Sequence, residues 1–517
     1  MEKKKTQKSA KKSVTKKVVS KKASEPKIVE AKKVEAKKVV TEPKVIVEPK
    51  VEVKEQKNNH SLIKVLIISI LIAVVLTWII PSGTFSGATL TATTRTRTGI
   101  NELFLSAFYG ANYYLVQLVF LVAIGIFYGV VSKTKGYNAM VNKVAKMWKG
   151  KEKLFVLVNS LIIALMASMF TQPFVALIFI PMLYSVAAKL GLNKMTSIMM
   201  TFGAMLIGIM GTTYGTYGIE YINSYMSTTA TSGIGVRFAI LAIGYLALNA
   251  YAIYMMRNDT KKAESIVSEE IVEAGKAKAW PYFLLFAILL VVSILGYIGW
   301  SSVFNVTAFT DFNTWLTTTV KIGNYPIFGY ILGNVTAFGS WDLFTIGAVM
   351  MFMLIVIKFV NKITWDEMID RAYNGIKNMI KPMALVTIAY AMFVICYWSG
   401  ITATMVNWIN TLTTNFNPYL NAIGNGIATF FHVDFGYTGF ALGAFYGAKF
   451  ADYTSQILTI MVSMNGLVSF IAPTSVIMLI GLAMTKTSYK EWMKYIWKFV
   501  VGLLVMLFII FSLITYL

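Results

Sequence analysis

Long apolar runs separated by short polar connections dominate the chain from residue 62 onward. Runs at 62–80, 113–131, 280–299, 343–360 and 499–516 approach the roughly 20 apolar residues with which a helix crosses a bilayer. Alternation of the strand type does not occur over these runs. The pattern predicts an all-α polytopic membrane protein with about 10–12 membrane elements.

Other apolar runs are interrupted by residues that an ordinary span does not tolerate. The polar segment 171–174 separates two short apolar runs, and a Gly/Thr/Tyr-rich segment at 211–218 follows the run 195–210. The stretch 427–475 contains five glycines, one histidine, two aspartates and one lysine. Broken helix survives in a bilayer only where it is buried in protein or lines a wet cavity, because each backbone polar group needs a partner there. We therefore predict re-entrant hairpins and broken helices.

The same order of segments occurs in both halves of the chain: a span, an outer connection, a span, a basic inner linker and then broken segments. Paired interrupted segments point to the binding site of a secondary transporter. The predicted division is a Lys-rich tail at 1–59, a first transporter repeat at 60–256, a cytoplasmic linker at 257–279, and a second repeat with a final span at 280–517. Within the second repeat, 361–381 has the period of an amphipathic helix on the inner surface.

The net charge of +24 is concentrated at the N-terminus, where residues 1–60 contain 19 lysines and 8 glutamates. The low-complexity composition of 1–59 predicts a disordered tail, which could contact anionic lipid. The connection 132–153 carries seven lysines against one glutamate. The positive-inside rule therefore places this connection and the N-terminus in the cytoplasm of a multi-pass protein of the cell membrane.

Sparse cysteine and histidine argue against metal chemistry. The chain has one cysteine, Cys396, and two histidines, His60 and His432. It also lacks a P-loop, a dinucleotide-binding glycine pattern and the HExxH pattern of zinc proteases. We predict neither an enzyme nor an ATP-driven pump, and no cofactor apart from Na⁺ or H⁺ as a coupling ion.

Asp434 is the leading candidate for a site residue, because a carboxylate between phenylalanines needs a cation, a proton or a buried donor. The alternative is a hairpin tip in water. His432 could share a proton with Asp434 or be an ordinary satisfied polar residue. Glu220 follows the Gly/Thr/Tyr segment and is either a site residue or part of the outer surface. Asp452 lies three residues after Lys449, a spacing that predicts a helical ion pair.

The breaks themselves supply neutral candidates. Unwound carbonyls and hydroxyls could hold Na⁺ or a carboxylate, and helix N-termini favour a substrate carboxylate. The candidates of this kind are Thr171, Gln172, Gly211, Thr212, Thr213, Asn465, Thr474 and Ser475.

Four motifs carry a family resemblance: TWIIPSGTF at 77–85, PFVALIFIP at 173–181, NGLVSFIAPTS at 465–475, and TKTSYKEWMKYIWKF at 485–499. With these motifs, the chain from residue 62 resembles the YfcC-like group of C4-dicarboxylate anaerobic carriers and arginine/ornithine antiporter relatives, within the ion transporter superfamily. The resemblance implies a secondary carrier whose two repeated halves each supply a hairpin and a broken helix to one central site. It also implies a homodimer, since relatives of this superfamily are often dimers.

Two departures from the family pattern fall where substrate should bind. Relatives commonly have two acidic residues before the first Pro-Phe, where this chain has Phe170, Thr171 and Gln172. The second hairpin turn of the family is rich in Ser and Gly, whereas 432–439 is HVDFGYTG. These differences bear on the substrate more than on the fold.

The sequence thus predicts a secondary active transporter of a small carboxylate-bearing metabolite in the lipid bilayer. A basic amino acid, with antiport such as arginine/ornithine exchange, is the leading hypothesis, because Asp434 could face a cationic side chain. A dicarboxylate carrier coupled to Na⁺ or H⁺ is the alternative. Against this alternative, few basic residues lie deep in the core segments where they could bind a dicarboxylate. The candidates are chiefly Arg237 and Lys449. A hypothesis of another class is a membrane anchor whose basic tail binds a cytoplasmic partner.

Overall fold

A computed structural model describes residues 61–94, 97–257, 261–267, 277–432 and 434–517. The predicted tail lies outside these residues, as do 258–260 and 268–276 of the predicted linker. Among the described residues, seven helices are long and apolar enough to cross a membrane, or up to eight if one bent helix pair forms a single span. The predicted all-α polytopic membrane fold is confirmed.

The first part of the chain contains ten α-helices and one small β-hairpin within the described residues. A 3-10 turn at Pro173–Ile178 precedes α6, and a π turn at Met199–Gly203 joins α7 to α8. The elements are α1 (Ser61–Ile79), β1 (Gly83–Ser86), β2 (Thr89–Ala92), α2 (Ile100–Tyr113), α3 (Leu115–Val131), α4 (Lys135–Trp148), α5 (Glu152–Met169), α6 (Ile180–Lys189), α7 (Lys194–Ile198), α8 (Ala204–Met210), α9 (Ile219–Met226) and α10 (Ile234–Met255).

In the second part, the regular elements of the described residues are all helices, joined by irregular connections. A π turn at Trp315–Thr319 follows α12, and a 3-10 turn at Ala451–Tyr453 precedes α19. The helices are α11 (Trp280–Tyr297), α12 (Ala308–Thr314), α13 (Ile327–Leu332), α14 (Leu343–Asn361), α15 (Trp365–Ser399), α16 (Ile401–Asn410), α17 (Pro418–Phe431), α18 (Phe435–Lys449), α19 (Thr454–Val468), α20 (Val476–Met484) and α21 (Tyr489–Tyr516).

Lysine-bearing connections from distant parts of the chain meet at one end of the bundle, which we call the basic face. The Lys194 Nζ atom donates to the Lys486 carbonyl oxygen at 3.2 Å. The Lys261 ammonium pairs with the Glu491 carboxylate at 2.7 Å. At the other end, the opposite face, the Thr404 hydroxyl donates to the Pro81 carbonyl oxygen at 2.7 Å. These contacts mark the two ends of the bundle.

One order of elements occurs twice and in opposite directions. In the first set α5 leaves the basic face, α6 returns to it, and α7–α8 leave again before the unwound segment 211–218 and α9. In the second set α17 leaves the opposite face and α18 returns, where the Lys449 Nζ atom donates to the Asn410 carbonyl oxygen at 3.4 Å. Then α19, the unwound segment 469–475 and α20 lead to the basic face. The predicted hairpins and broken helices are present.

The two broken helices cross at very close range. The backbones are so near that a Cβ atom on Gly466 of α19 would lie 2.3 Å from the Met210 amide nitrogen of α8. Because Met210 is the last residue of α8, this crossing places the first break beside the second broken helix. Glycine at 466 thus allows the two halves to share one site.

The glycines of α18 have a different role from the predicted one. The sequence suggested that they interrupt the helix, but α18 is regular from Phe435 to Lys449. Its glycines instead form the face on which α9 packs: a Cβ on Gly439 would lie 2.3 Å from the Ile222 side chain, and one on Gly447 would lie 2.2 Å from the Tyr225 carbonyl oxygen. The glycines therefore permit close helix packing.

Two predicted connections are corrected. The segment 361–381 is not a separate helix on the membrane surface, because α15 continues through Pro382 as one helix of 35 residues and packs mainly against α3 and α2. The outer connection predicted between the first two spans contains the β-hairpin and α2, which the sequence did not indicate. The helices α2 and α3 meet at a 65° bend. Tertiary packing, which local periodicity does not report, accounts for both differences.

Candidate functional site

A central cavity lies where the two hairpins and the two breaks meet. The volume open to the centre of a water molecule is about 60 Å³, compared with roughly 10–15 Å³ that one water needs. Pro173 and Thr429 line it from the hairpins, and Thr212 and Ser475 line it from the breaks. None of its described lining residues is Lys, Arg, His, Asp or Glu. The cavity lining is therefore largely apolar, with polar groups at a few points and no formal charge of its own.

Ser168 of α5 holds the first break in its unwound conformation. Its hydroxyl donates to the Gly211 carbonyl oxygen at 2.8 Å and lies 2.9 Å from the Thr213 hydroxyl oxygen. Its backbone carbonyl oxygen accepts from the amides of Thr213 (2.9 Å) and Gly215 (3.0 Å). These bonds replace the helical ones that the break loses, which a buried backbone in a membrane protein requires.

Replacing Ser168 with alanine should destabilise the protein by about 1–3 kcal/mol, because the buried Gly211 carbonyl oxygen loses the hydroxyl that donates to it. The measurement is thermal unfolding of the purified chain in detergent. The control is Ser69→Ala in α1, whose hydroxyl bonds only to the Val65 carbonyl oxygen one turn earlier. Equal unfolding temperatures for the two variants would contradict this role of Ser168.

The second break presents a helix N-terminus to the cavity. Ser475 precedes α20 in an extended conformation, without a side-chain cap on the helix. Ser475, Val476 and Ile477 all line the cavity. The first amides of a helix lack intrahelical partners and carry partial positive charge. Asn465 and Ser469 line the cavity nearby, so a carboxylate at this end would meet several donors.

A layer of tyrosines separates the cavity from Asp434. Tyr217 lines the cavity, and its hydroxyl donates to Asp434 Oδ2 at 3.0 Å. The Tyr390 hydroxyl donates to the same oxygen at 3.5 Å. Tyr114, which also lines the cavity, stacks on Tyr390 with ring centroids 4.1 Å apart. Asp434 Oδ1 accepts from the Tyr437 amide at 3.1 Å and so caps α18.

A second and larger space lies on the far side of Asp434, and we call it the aromatic pocket. Its volume open to the centre of a water molecule is about 310 Å³. Seven rings, one glycine and one carboxylate form its described lining. These residues are Tyr113, Tyr221, Tyr390, Phe393, Tyr397, Asp434, Gly436, Tyr437 and Phe440.

The sequence model of the C4-dicarboxylate anaerobic carrier family matches residues 60–516. The chain belongs to this carrier family. The predicted family resemblance is thereby confirmed, and the chain is a membrane transporter. The carrier is also similar to the Alcanivorax borkumensis YdaH transporter, for which a crystal structure is known. The two chains are 12% identical, the alignment covers 88% of this chain and 98% of that chain, and the TM-score is 0.39. Comparison with curated proteins gives no match.

The carrier's cavity brings together four of the predicted site residues. Thr212 comes from the first break, and Asn465, Thr474 and Ser475 come from the second broken helix and its break. The Thr474 hydroxyl donates to the Phe430 carbonyl oxygen at 3.0 Å, which ties this break to the second hairpin. Asp434 lines the aromatic pocket and is linked to the cavity wall by the hydrogen bond from Tyr217.

Other predicted residues lie close to the carrier's cavity without lining it. Gly211 and Thr213 bond to Ser168 and shape the first break. Thr171 and Gln172 form the tip of the first hairpin, where the Thr171 amide donates to the Tyr297 carbonyl oxygen at 2.8 Å. The Thr171 hydroxyl is buried and has no hydrogen-bond partner among the residues that the structure describes.

Glu220 and His432 line neither the central cavity nor the aromatic pocket. Glu220 is exposed at the start of α9 and lines neither space. The His432 Nε2 atom contacts the Thr402 hydroxyl, so this nitrogen does not share a proton with Asp434. The His432 ring stacks on Tyr437 with centroids 4.8 Å apart. His432 therefore supports a wall of the aromatic pocket from behind.

The basic residues considered for a dicarboxylate do not reach the carrier's cavity. The predicted ion pair of Lys449 with Asp452 is wrong within the described residues, because the ammonium contacts the Asn410 carbonyl oxygen and the rings of Phe445 and Phe450. Arg237 is buried in α10, where it donates to the carbonyl oxygens of Ala230 and Ser232. Among the described residues, no three of His, Cys, Asp or Glu form a metal-binding group.

Sequence reasoning missed the residues that connect the carrier's parts: Ser168, Tyr114, Tyr217 and Tyr390. Tyr217 lies within the Gly/Thr/Tyr-rich segment at 211–218, but it was not among the candidate residues. Ser168 and Tyr390 lie in apolar helices, where one polar atom gives little periodic signal. An available clue was that a break needs a nearby hydroxyl or amide to satisfy its backbone.

Proposed function

We propose that this carrier moves a small carboxylate-bearing metabolite by secondary active transport through the central cavity, and that the substrate is an amino acid. A basic amino acid, with exchange such as arginine for ornithine, is the leading candidate. The observation that carries the proposal is the charge pattern: neutral donors and a helix N-terminus line the cavity, and Asp434 stands behind its tyrosine layer.

The carboxylate end of such a substrate fits the second break. The uncapped start of α20 offers backbone amides with partial positive charge, and an anion at this position is stabilised. Asn465 and Ser475 add side-chain donors in the same lining. A substrate carboxylate would thus exchange water for oriented donors without needing a lysine or arginine.

The other end of the substrate would face negative charge. Among the described residues, Tyr217 both lines the cavity and donates a hydrogen bond to Asp434, so the carboxylate lies one hydrogen bond behind the wall. A cationic side chain approaching this wall would be attracted to Asp434. A second substrate carboxylate would be repelled there, and repulsion in a poorly solvated site is costly.

A dicarboxylate is the second candidate, because the matching family is described as C4-dicarboxylate anaerobic carriers. With no basic side chain in the described lining, a dianion would require a companion cation. Na⁺ held by unwound carbonyls and hydroxyls, such as those near Thr212, could supply that charge. This version of the function therefore predicts an obligatory Na⁺ or H⁺ gradient.

Counterflow in proteoliposomes distinguishes the two substrates. Vesicles containing the full chain are loaded with unlabelled arginine, ornithine or succinate, and uptake of labelled arginine or succinate is followed with and without a Na⁺ gradient. Amino-acid transport predicts arginine uptake into arginine- and ornithine-loaded vesicles and none into succinate-loaded ones. Succinate uptake that requires Na⁺ would show that the substrate is a dicarboxylate and not an amino acid. Absence of both arginine uptake and succinate uptake would reject both substrates.

The orientation that we propose follows from charge. The basic face gathers the connections around Lys194, Lys261 and Lys486. Under the positive-inside rule this face lies in the cytoplasm of the cell membrane, together with the N-terminus. The opposite face, from which the second hairpin enters the bundle, then lies on the exterior side.

A further inference from the structure

The feature of the carrier that its proposed transport route does not use is the aromatic pocket. Its volume of about 310 Å³ exceeds the roughly 60 Å³ of the central cavity. Tyr113, Tyr221 and Phe440 at its rim are about half exposed, whereas Tyr390 and Phe393 at its base are buried. Among the described lining residues, Asp434 carries the only formal charge. The space is therefore open, aromatic and negatively charged at one point.

The rings form walls at right angles to one another. Tyr437 stands edge-on to Tyr397, with centroids 4.5 Å apart and an interplanar angle of 89°. Tyr437 is also edge-on to Phe393 at 4.9 Å and 81°, and Tyr113 is edge-on to Phe393 at 5.8 Å and 88°. A group inside the pocket consequently meets aromatic surfaces in more than one direction.

Asp434 contributes an uncompensated negative charge to this pocket. Its carboxylate accepts hydrogen bonds from the Tyr217 hydroxyl, the Tyr390 hydroxyl and the Tyr437 amide, all of them neutral donors. It has no ion pair with a basic side chain in the part of the chain that the structure describes. Aromatic faces also carry partial negative charge and attract cations. The carboxylate and the rings thus favour the same kind of ligand.

We propose that the aromatic pocket binds a small organic cation, an ammonium or guanidinium group, through the rings and the carboxylate of Asp434. An inorganic ion such as Na⁺ is strongly hydrated and would exchange its water for one carboxylate and the hydroxyls of the lining tyrosines. A guanidinium or alkylammonium group is more weakly hydrated and gains contact with the rings. Binding itself is independent of transport, and only a role in first capturing a cationic substrate rests on the proposed function.

Equilibrium binding of labelled tetramethylammonium to the purified full chain in detergent tests the pocket. We expect saturable binding that the uncharged tert-butanol, of similar size, does not displace. Asp434→Asn should weaken binding about tenfold or more, because it removes the charge. Asparagine is also a good helix cap, so α18 should persist. Glu220→Gln is the matched control, since Glu220 is exposed and lines neither space, and it should bind as the unaltered chain does.

A second pair of variants separates the ring from its hydroxyl. Tyr221→Ala should weaken binding about two- to fivefold, and Tyr221→Phe should not weaken it. If Asp434→Asn fails to fold, the two Tyr221 variants still test whether the aromatic pocket binds the cation. Unchanged binding in Asp434→Asn or in Tyr221→Ala, equal affinity for tert-butanol, or displacement by equimolar Na⁺ would each overturn the proposal. Saturable tetramethylammonium binding without arginine counterflow would reject the proposed substrate while leaving the pocket assigned.

Discussion

Replacing Asp434 with asparagine is expected to lower arginine counterflow on the order of 100-fold, since removing one partner of a poorly solvated charge pair costs about 2–5 kcal/mol. Asparagine can still cap α18 and accept the hydroxyl of Tyr217, so the variant isolates the charge from the structure. Counterflow in proteoliposomes is the measurement, with the amount of inserted protein determined in each preparation.

Two comparisons make the Asp434 result specific. Glu220→Gln removes a carboxylate that lines neither space, so its arginine counterflow should equal that of the unaltered chain. If the substrate is instead a dicarboxylate, Asp434→Asn should preserve or raise succinate uptake because it removes repulsion. Arginine counterflow that persists at full rate in Asp434→Asn would exclude Asp434 as the partner of a cationic substrate.

Replacing Gly466 with valine is expected to abolish transport and to destabilise the protein by about 3 kcal/mol or more. A Cβ atom there would lie 2.3 Å from the Met210 amide nitrogen and 2.4 Å from the Met210 Cα atom. Backbone atoms cannot rotate away as a side chain could, so α8 and α19 would have to separate. These helices position Thr212 and Asn465 at the cavity, and both would move.

Gly502→Val is the matched control for the crossing. Gly502 lies in the membrane helix α21, and a Cβ atom there would have no atom within 4 Å. The same substitution should change stability by less than about 0.5 kcal/mol and leave counterflow intact. Thermal unfolding in detergent and counterflow are compared for both variants. A Gly466 variant as stable and active as the Gly502 variant would show that the crossing does not hold the cavity.

The sequence was most informative about where helices break. Thr171-Gln172-Pro173, the Gly/Thr/Tyr segment at 211–218 and the Pro473 segment all lie outside regular α-helix, as predicted. Proline removes a backbone donor and glycine adds conformational freedom, so these residues act locally. The same local logic failed for α18, because a glycine on a packing face has the same sequence signal as a glycine in a break.

The site was only partly predictable. Four cavity residues lie at or beside the breaks, and the same sequence signals that mark the breaks identified them: Thr212, Asn465, Thr474 and Ser475. Glu220 and His432 were singled out because charged or titratable groups are rare in apolar segments. The rarity of such a residue in an apolar segment does not show which way its side chain points. Glu220 is exposed, and the His432 ring stacks on Tyr437.

By itself, the sequence determined the membrane class, the family and the positions of the hairpins and breaks, and it singled out Asp434 as a candidate. Only the tertiary structure decided what surrounds that carboxylate. Its donors Tyr217 and Tyr390 are separated from it by 217 and 44 residues, so no local period links them. Apolar patterning specifies which residues lie in helices. The contacts between those helices, here set by glycine faces and by hydroxyls that satisfy unwound backbone, arise only when the chain packs.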